Sequence, residues 1–476
     1  MPTTIVAATC PVPACNLVPR DVESLVADLA TYVDALLPDF SRKNQAPWVH
    51  RYLQGLVSDH PRTSIEPMAV AHGFPIRRMH ACIGESPGRT APRMHRHQQL
   101  VAQTLGEADA VILIDASGRP KQGQHSAAVA SQSGGARGNV ATCQVGVFVG
   151  YASRNGDTLR DARLFVPEGW FADDHAALRA EVGMPADLTF KTKPELAVAL
   201  VQDRRKRKVV PTRWLAADAR SGDRPAFRDA IAALGLRYFT EVACATLIWR
   251  RHPAVIIPPW AGKGRKPTKP RLKTPTNASD RVDDLLRRWP KTAGVRGTVK
   301  EGRQGPIGCD FAFVRSTEAR QGVPGSRLWL VRRRNVADPR MVKYDLRNAP
   351  AAIESVELVR MRGMRWPVEL AFEEAKDEVG MDQDETRSWL GWHHHMTLRM
   401  RAHHFLVWVR VRWADRAPAL TLAQVRLLVI SVIPKLVLHA EQALIRVWYD
   451  QRRNHAAYRS HRKRKLAQVA AFDSAL

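Results

Sequence analysis

The sequence predicts a mixed α/β protein, α+β in arrangement, with a helical first domain, a strand-rich middle and a helical final region. Three observations carry this reading. Apolar residues recur at three- and four-residue spacings over 21–58, the pattern turns strand-like between 110 and 168, and helical spacing returns over 351–476. At 476 residues, with 45% hydrophobic and 25% charged side chains, the chain can bury two or three proper cores, which excludes disorder, collagen and a small disulfide scaffold.

In order along the chain, DVESLVADLATYVDALLPDF and WVHRYLQGLV give helices with one core-facing stripe. TSIEPMAVAHGFPIRRMHACIG (63–84) reads either as a helix-turn-helix or as an ordinary helical hairpin. In both, Ala69 sits at the crossing, Gly73 in the turn, and Met79 and Cys82 inward; in the first, Arg77, Arg78 and His80 face DNA. AVILID (110–115), CQVGVFVGYA (143–152) and LRDARLFVPE (159–168) predict a three-stranded meander. Helices follow at about 173–182 and 193–206, then a buried strand, RWLAAD (213–218), and a helix over 225–235 closing on Gly235. Strand-like pieces at 236–249 and 327–333 flank PWAGKGRKPTKPRLKTPTNAS (259–279), which has the composition of an exposed arm that orders on DNA. The expected divisions are a helical DNA-binding region (1–105), the first part of a catalytic core (106–235), a basic β-rich insertion with its arm (236–350), a core helix region (351–410) and a helical basic end (411–476).

The formal net charge of +27 is unevenly placed. Residues 1–200 balance at 19 basic and 19 acidic, 201–350 hold 34 against 13, 351–400 hold 6 against 10, and 401–476 hold 14 against 4. Such clustering points to a surface for a polyanion, nucleic acid first. The six cysteines are scattered without a second close pair to complete a zinc site, so reduced thiols are expected. No secretory signal is readable, and the longest apolar stretch, Leu427 to Leu438, is broken by Pro434 and Lys435, so a cytoplasmic protein without a membrane partner is expected.

Three carboxylates stand where a fold could gather them. Asp115 and Asp218 end predicted strands, and Glu369 opens a helix begun by Pro367. Carboxylates brought that close repel unless divalent cations neutralise them, whereas an isolated Asp at a strand end caps a turn or helix; spacing alone leaves both roles open. Glu369 and Lys376, nearly two turns apart, share a helix face with Phe372 between them.

RYLQGLVSDHPRTSIEPMA (51–69), LIDASGRPKQGQHS (113–126), CQVGVFVGYAS (143–153), LTFKTKPELA (188–197), WLAADA (214–219) and RWPVELAFEEAKDEVGMDQDETRSWLGWHHHMTL (365–398) occur in an order that resembles a known family. The chain is similar to bacterial insertion-sequence DDE transposases, in the group whose signature is Tyr, two residues, Arg, three, Glu, six, Lys, and more narrowly to the insertion-sequence family numbered seven-oh-one. The resemblance implies an RNase H-like core in which Asp115, Asp218 and Glu369 are catalytic and hold two Mg²⁺ ions, with Mn²⁺ able to substitute. It also implies that Arg365 and Lys376 contact double-stranded DNA near the cleaved end, and that a dimer or higher oligomer assembles on element ends and target DNA at the nucleoid. Lys121, Arg362, Arg77 and Arg78 are further candidate DNA contacts. Arg362 stands where the signature has Tyr, Ala116 where Asp usually follows the first catalytic Asp, and Arg220 and Ser221 where the family reads Gly-Tyr. These departures leave a catalytically decayed, DNA-binding descendant as the alternative. His393, His394, His395, His403 and His404 lack the spacing and third partner of a zinc site; His395 matches a family position, and the others are expected to face DNA or solvent, as is the basic run at 203–208.

Overall fold

The computed structural model describes residues 13–473 apart from 41–44, 61, 72–73, 86–89, 134–139, 208–210, 261, 288–294, 303–304, 365 and 434–439. Among the described residues six α-helices come first: α1 (Pro19–Glu23), α2 (Leu25–Asp34), α3 (Ala46–Leu56), α4 (Ile65–Ala71), α5 (Ile76–His80) and α6 (Thr90–Leu105). The pair α4 and α5 forms the expected hairpin, with Ala69, Met79 and Cys82 buried and Arg77 and Arg78 exposed. Gly73 lies outside the described residues.

The meander follows as β1 (Val111–Pro120), β2 (Ala130–Ser133), β3 (Val140–Ser153) and β4 (Gly156–Phe165), with β3 antiparallel to β1 on one edge and to β2 and β4 on the other. After α7 (Ala176–Glu181) and α8 (Lys193–Arg207), β5 (Trp214–Ala217) runs parallel to β1, and all four of its residues are buried. Then come α9 (Ala219–Gly222), α10 (Pro225–Ala233) and β6 (Arg237–Val242), parallel to β5. Gly235, in the left-handed region at φ 70°, makes the turn out of α10 that the sequence anticipates.

The β-rich stretch after β6 comprises β7 (Leu247–Trp249), β8 (Val255–Ile256), β9 (Arg271–Leu272), β10 (Asp280–Arg281), α11 (Val282–Arg287), β11 (Val295–Gly302), β12 (Gly305–Arg320), β13 (Val323–Asn335) and β14 (Val342–Arg347). It does not build a sheet of its own around an inserted core. Its long strands continue the first sheet through β14 against β6, giving twelve strands in the order β10-β7-β12-β13-β14-β6-β5-β1-β3-β2, with β11 on β12 and β4 on β3. Among the described strands only β8 and β9 stand apart, as a two-stranded ribbon at the base of the predicted arm. Its described basic residues, Lys263, Arg265, Lys266, Lys269, Arg271 and Lys273, are all exposed.

The chain closes with α12 (Ser355–Gly363), α13 (Trp366–Asp377), α14 (Trp389–Arg412), α15 (Leu422–Val432) and α16 (Ala440–Asp473). No helix among the described residues is long and apolar enough to cross a membrane. Helix α14 passes between the sheet and the N-terminal helices and is buried nearly all round, which overturns the expectation that His394, His403 and His404 meet DNA or solvent. His394, His395, His403 and His404 are buried, and each has a polar neighbour from a distant element. His395 Nδ1 lies 3.0 Å from Tyr52 Oη, His404 Nδ1 2.9 Å from Tyr32 Oη, His403 Nδ1 3.0 Å from Thr158 Oγ1, and His394 Nδ1 3.1 Å from the Ile83 carbonyl. Burial lowers the basicity of His404 to about 3, so the ring is neutral.

Beside α14 lies a buried ionic knot. Arg119 Nη2 donates to Asp384 Oδ2 at 2.6 Å, Lys121 Nζ reaches the same oxygen at 3.3 Å, and Thr386 donates through its backbone and hydroxyl to Oδ1. Lys121 Nζ also donates to the carbonyls of Asp384 and Thr386 at 3.0 and 2.9 Å. Lys121 is therefore turned inward, with its three protons taken by protein oxygens, and does not serve as the phosphate contact expected of it. Burial would raise the Asp384 carboxyl, yet Arg119, His395 and Lys121 hold it well below the usual carboxylate range. Burial also lowers Lys121, to about 8, against the pull of Asp384. Asp384→Asn leaves two cations buried without their anion, so it is expected to cost about 3–5 kcal/mol of unfolding free energy, read from urea denaturation.

Candidate active site

Asp115 and Asp218 meet because of strand register. The parallel pairing of β1 with β5 ends at Ile114 opposite Ala217, so the next residue on each strand is an Asp. Neighbouring strands lie about 4.8 Å apart, and Asp218 keeps an extended backbone (φ −72°, ψ 174°), so the two carboxylates leave one edge of the sheet side by side. Asp115 does not end its strand as expected. On its other edge β1 stays paired with β3 to Pro120, which holds the Asp115 backbone opposite Phe148. Both aspartates are half-buried and line one cavity of about 480 Å³ with Ile114, Phe165, Glu168, Phe190, Lys193, Arg220 and Arg224.

Each carboxylate also has a local task. Asp115 Oδ1 accepts from the Ala116 amide at 2.7 Å, and Asp218 Oδ1 accepts from the Ser221 amide at 3.1 Å, capping α9. The capping role left open for Asp218 is thus real, and it engages one of two oxygens.

Glu369 enters from α13, which lies across β1, β3 and β4. Gly150 lets the helix close in, because a Cβ there would sit 3.3 Å from both Val368 Cγ2 and Leu113 Cβ. One turn on, the Phe372 ring meets Phe148 edge-on at 5.1 Å. Phe148 is the cross-strand partner of Asp115, and cross-strand partners share a face, so Asp115 lies on the face that α13 covers. Glu369 is exposed in the first turn of the helix and is not among the residues lining the cavity. Among the described residues, no three His, Cys, Asp or Glu side chains are grouped closely enough to hold a metal ion. Carboxylate oxygens of the kind Asp115 and Asp218 offer suit a hard divalent cation. Lys376 lies on the same helix with its Nζ 5.9 Å from the Phe372 ring centre. Arg365 falls outside the described residues, as do the side chains of Arg362 and of 204–207.

The sequence reasoning missed Lys193, Arg220, Arg224 and Glu168 as cavity residues. LTFKTKPELA was a matched segment, yet nothing in its spacing tells that the N-terminus of α8 faces the ends of β1 and β5. A second buried group also escaped it, and it seats α13. Asp157 of β4 and Glu374 of α13 lie beneath that helix with His403 and Arg410 of α14; His403 Nε2 is 3.7 Å and Arg410 Nη1 3.6 Å from the Glu374 carboxylate.

The sequence model of the DDE superfamily endonucleases matches residues 35–302, a span that holds Asp115 and Asp218, and the chain belongs to that family. No curated protein sequence matches the chain. Among solved structures it is similar to the NurA nuclease from Sulfolobus solfataricus, at 11% identity over 62% of this chain and 86% of that chain, with a TM-score of 0.24. Family membership makes the protein a DDE nuclease of transposase-like type, acting on DNA; nucleases of this superfamily use divalent metal ions.

Burial and the neighbouring Glu374 push the Asp157 carboxyl up to about 7, with Arg410 opposing. Its unfolded value is near 3.8, so between these limits the native state binds more protons and stability falls as pH rises. Asp157→Asn is expected to abolish that slope and to stabilise the protein in weak alkali by on the order of 1–3 kcal/mol, measured by urea unfolding on both sides of neutrality.

Proposed function

We propose that the protein is the transposase of an insertion sequence of the seven-oh-one type, binding the terminal inverted repeats of its element, cutting double-stranded DNA there and joining the 3′ ends to target DNA. The observation that carries the reading is the register that sets Asp115 and Asp218 one residue beyond the last β1–β5 pair, Ile114 and Ala217, in one cavity, with the Glu369 helix on the same face. Asp115, Asp218 and Glu369 would hold two Mg²⁺ ions, or Mn²⁺ in their place, which when bound activate a water or 3′-hydroxyl and stabilise the leaving oxygen. The protein's own part is placement. The β1–β5 register fixes two carboxylates, the Val368–Gly150 and Phe372–Phe148 contacts set the height of the third, and Arg362, Arg365 and Lys376 supply cations for DNA. Arg77 and Arg78 on exposed α5, the 259–279 arm and basic α16 extend the DNA surface, and the protein works as a dimer or larger assembly on DNA at the nucleoid. A decayed descendant that binds DNA without cutting is the second reading, favoured by Arg362 in place of the signature Tyr.

Asp115→Asn, Asp218→Asn and Glu369→Gln are each expected to lower metal-dependent nicking of an end-repeat substrate by at least about a hundredfold while DNA affinity holds. Nicking at the parental rate by all three variants would sink the assignment, and parental end binding without any nicking would favour the decayed form. Replacing Lys263, Arg265, Lys266 and Lys269 with Gln is expected to flatten the dependence of log affinity on log salt by about 0.9 for each phosphate that the arm no longer neutralises, with the melting temperature unchanged.

A further inference from the structure

The cavity that holds Asp115 and Asp218 has a second wall of opposite charge. Lys193 comes from the first residue of α8, Arg220 from α9 immediately after Asp218, and Arg224 from just before α10, and all three line the same space. Among the described residues none of them has a carboxylate within ion-pair distance, although Asp115, Asp218 and Glu168 share the cavity with them. The Lys193 ammonium rests 4.9 Å from the Phe165 ring centre. Burial, and after it the Arg220 guanidinium, depress its basicity. Arg220 and Arg224 are exposed and Lys193 is half-buried, so three cations meet on a solvent-open space with donors that no carboxylate engages at ion-pair distance, and a phosphate can enter to meet them.

Arg220 also gives meaning to a departure seen in the sequence. It stands where the resembled family has Gly, directly after the Asp-Ala pair, and it brings a five-donor fork to the mouth of the site. A guanidinium in the turn after a metal-holding Asp is well placed for phosphate, and not for the repair of a lost backbone turn. Asp218 still caps that turn through the Ser221 amide.

We propose that Lys193, Arg220 and Arg224 form a phosphate-binding subsite facing Asp115 and Asp218, which grips a DNA backbone phosphate beside the cleaved one and so positions the strand. The inference rests on the reading of Asp115 and Asp218 as the metal-holding pair. These three are positioning residues. Their cations fix the strand, and the carboxylates stay with the reacting phosphorus. Arg220 then marks a gain of grip in this chain, and not decay.

The test uses the full chain with two readouts: affinity for a short labelled duplex of random sequence across a salt series in Ca²⁺, and nicking of supercoiled plasmid in Mn²⁺. Lys193→Gln and Arg220→Gly should each lower the slope of log affinity against log salt by about one unit and slow nicking by about tenfold or more. Lys193→Arg should restore the slope. Arg220 is exposed, so Arg220→Gly should move the melting temperature only by what a glycine costs a short helix, which keeps the test decisive if Lys193→Gln folds poorly. Parental slopes in both Lys193→Gln and Arg220→Gly would overturn the subsite. The slope needs no catalysis, so it judges the wall even in a chain that cuts nothing. Parental nicking by Asp115→Asn, with or without a slope change in the cation variants, overturns the active-site reading beneath it and with it the positioning role.

Discussion

The buried Asp384 carboxylate is the constraint on which the catalytic half of the molecule depends. Its partners Arg119 and Lys121 sit on or just after β1, four and six residues beyond Asp115, while Asp384 itself follows α13, the helix that carries Glu369. A charge removed from water must be met by opposite charge and hydrogen bonds at close range, so this knot fixes the separation of β1 from the end of α13. Arg119 Nη1 adds a bond to the Met381 carbonyl at 3.3 Å, and Gln144 of β3 closes the guanidinium at 3.0 Å. The strand bearing one candidate carboxylate and the helix bearing another are thereby tied together without either carboxylate being spent on the tie.

The same logic runs along α14. Arg399 donates to Thr63 Oγ1 and the Thr63 carbonyl, both at 2.6 Å, and to the Val379 carbonyl, while Arg401 reaches the carbonyl of Arg93. These are long cationic side chains used as hydrogen-bond donors to the ends of distant backbone segments, with their stems as packing volume. They fasten the N-terminal helices to the core through α14, so the α4–α5 hairpin with Arg77 and Arg78 is held in a set relation to β1 and α13.

What was legible in the sequence follows from which forces are local. Asp115 and Asp218 could be picked out because a strand ending on a carboxylate leaves a short apolar run before it, and α13 because Pro367 and the Glu369–Lys376 spacing define a face. The fate of α14 was not legible, since a stretch rich in His and Arg has the composition of a surface, and only the third dimension shows carbonyls and phenols waiting for each ring and guanidinium. Lys121 misled for the same reason: a lysine beside a Pro and two glycines reads as an exposed loop cation until Asp384, more than 260 residues on, is brought beneath it. The strands after Cys244 were visible by composition, yet their partners were not, because alternation tells which face a residue takes and says nothing of which strand lies alongside.

Charge placement gains a physical sense from these pairings. The acidic stretch 351–400 spends much of its charge on cations from elsewhere in the fold: Asp384 on Arg119 and Lys121, Glu374 on Arg410, Glu378 on Arg426 and Glu357 on Arg237. Several arginines of the β-rich stretch are likewise paired within the sheet region, as Arg296 and Arg334 with Asp310 and Arg320 with Asp229 and Glu318. The arm differs: residues 242–279 contain no acid at all, and Lys263, Arg265, Lys266, Lys269, Arg271 and Lys273 have no carboxylate partner among the described residues. Internal pairing therefore removes charge from the inside and leaves the arm's charge undiminished at the surface, where it acts over about a Debye length of 8–10 Å. The net charge of the whole chain thus understates the field at the arm, and four of the ten acids of the negative island are engaged by cations elsewhere in the fold.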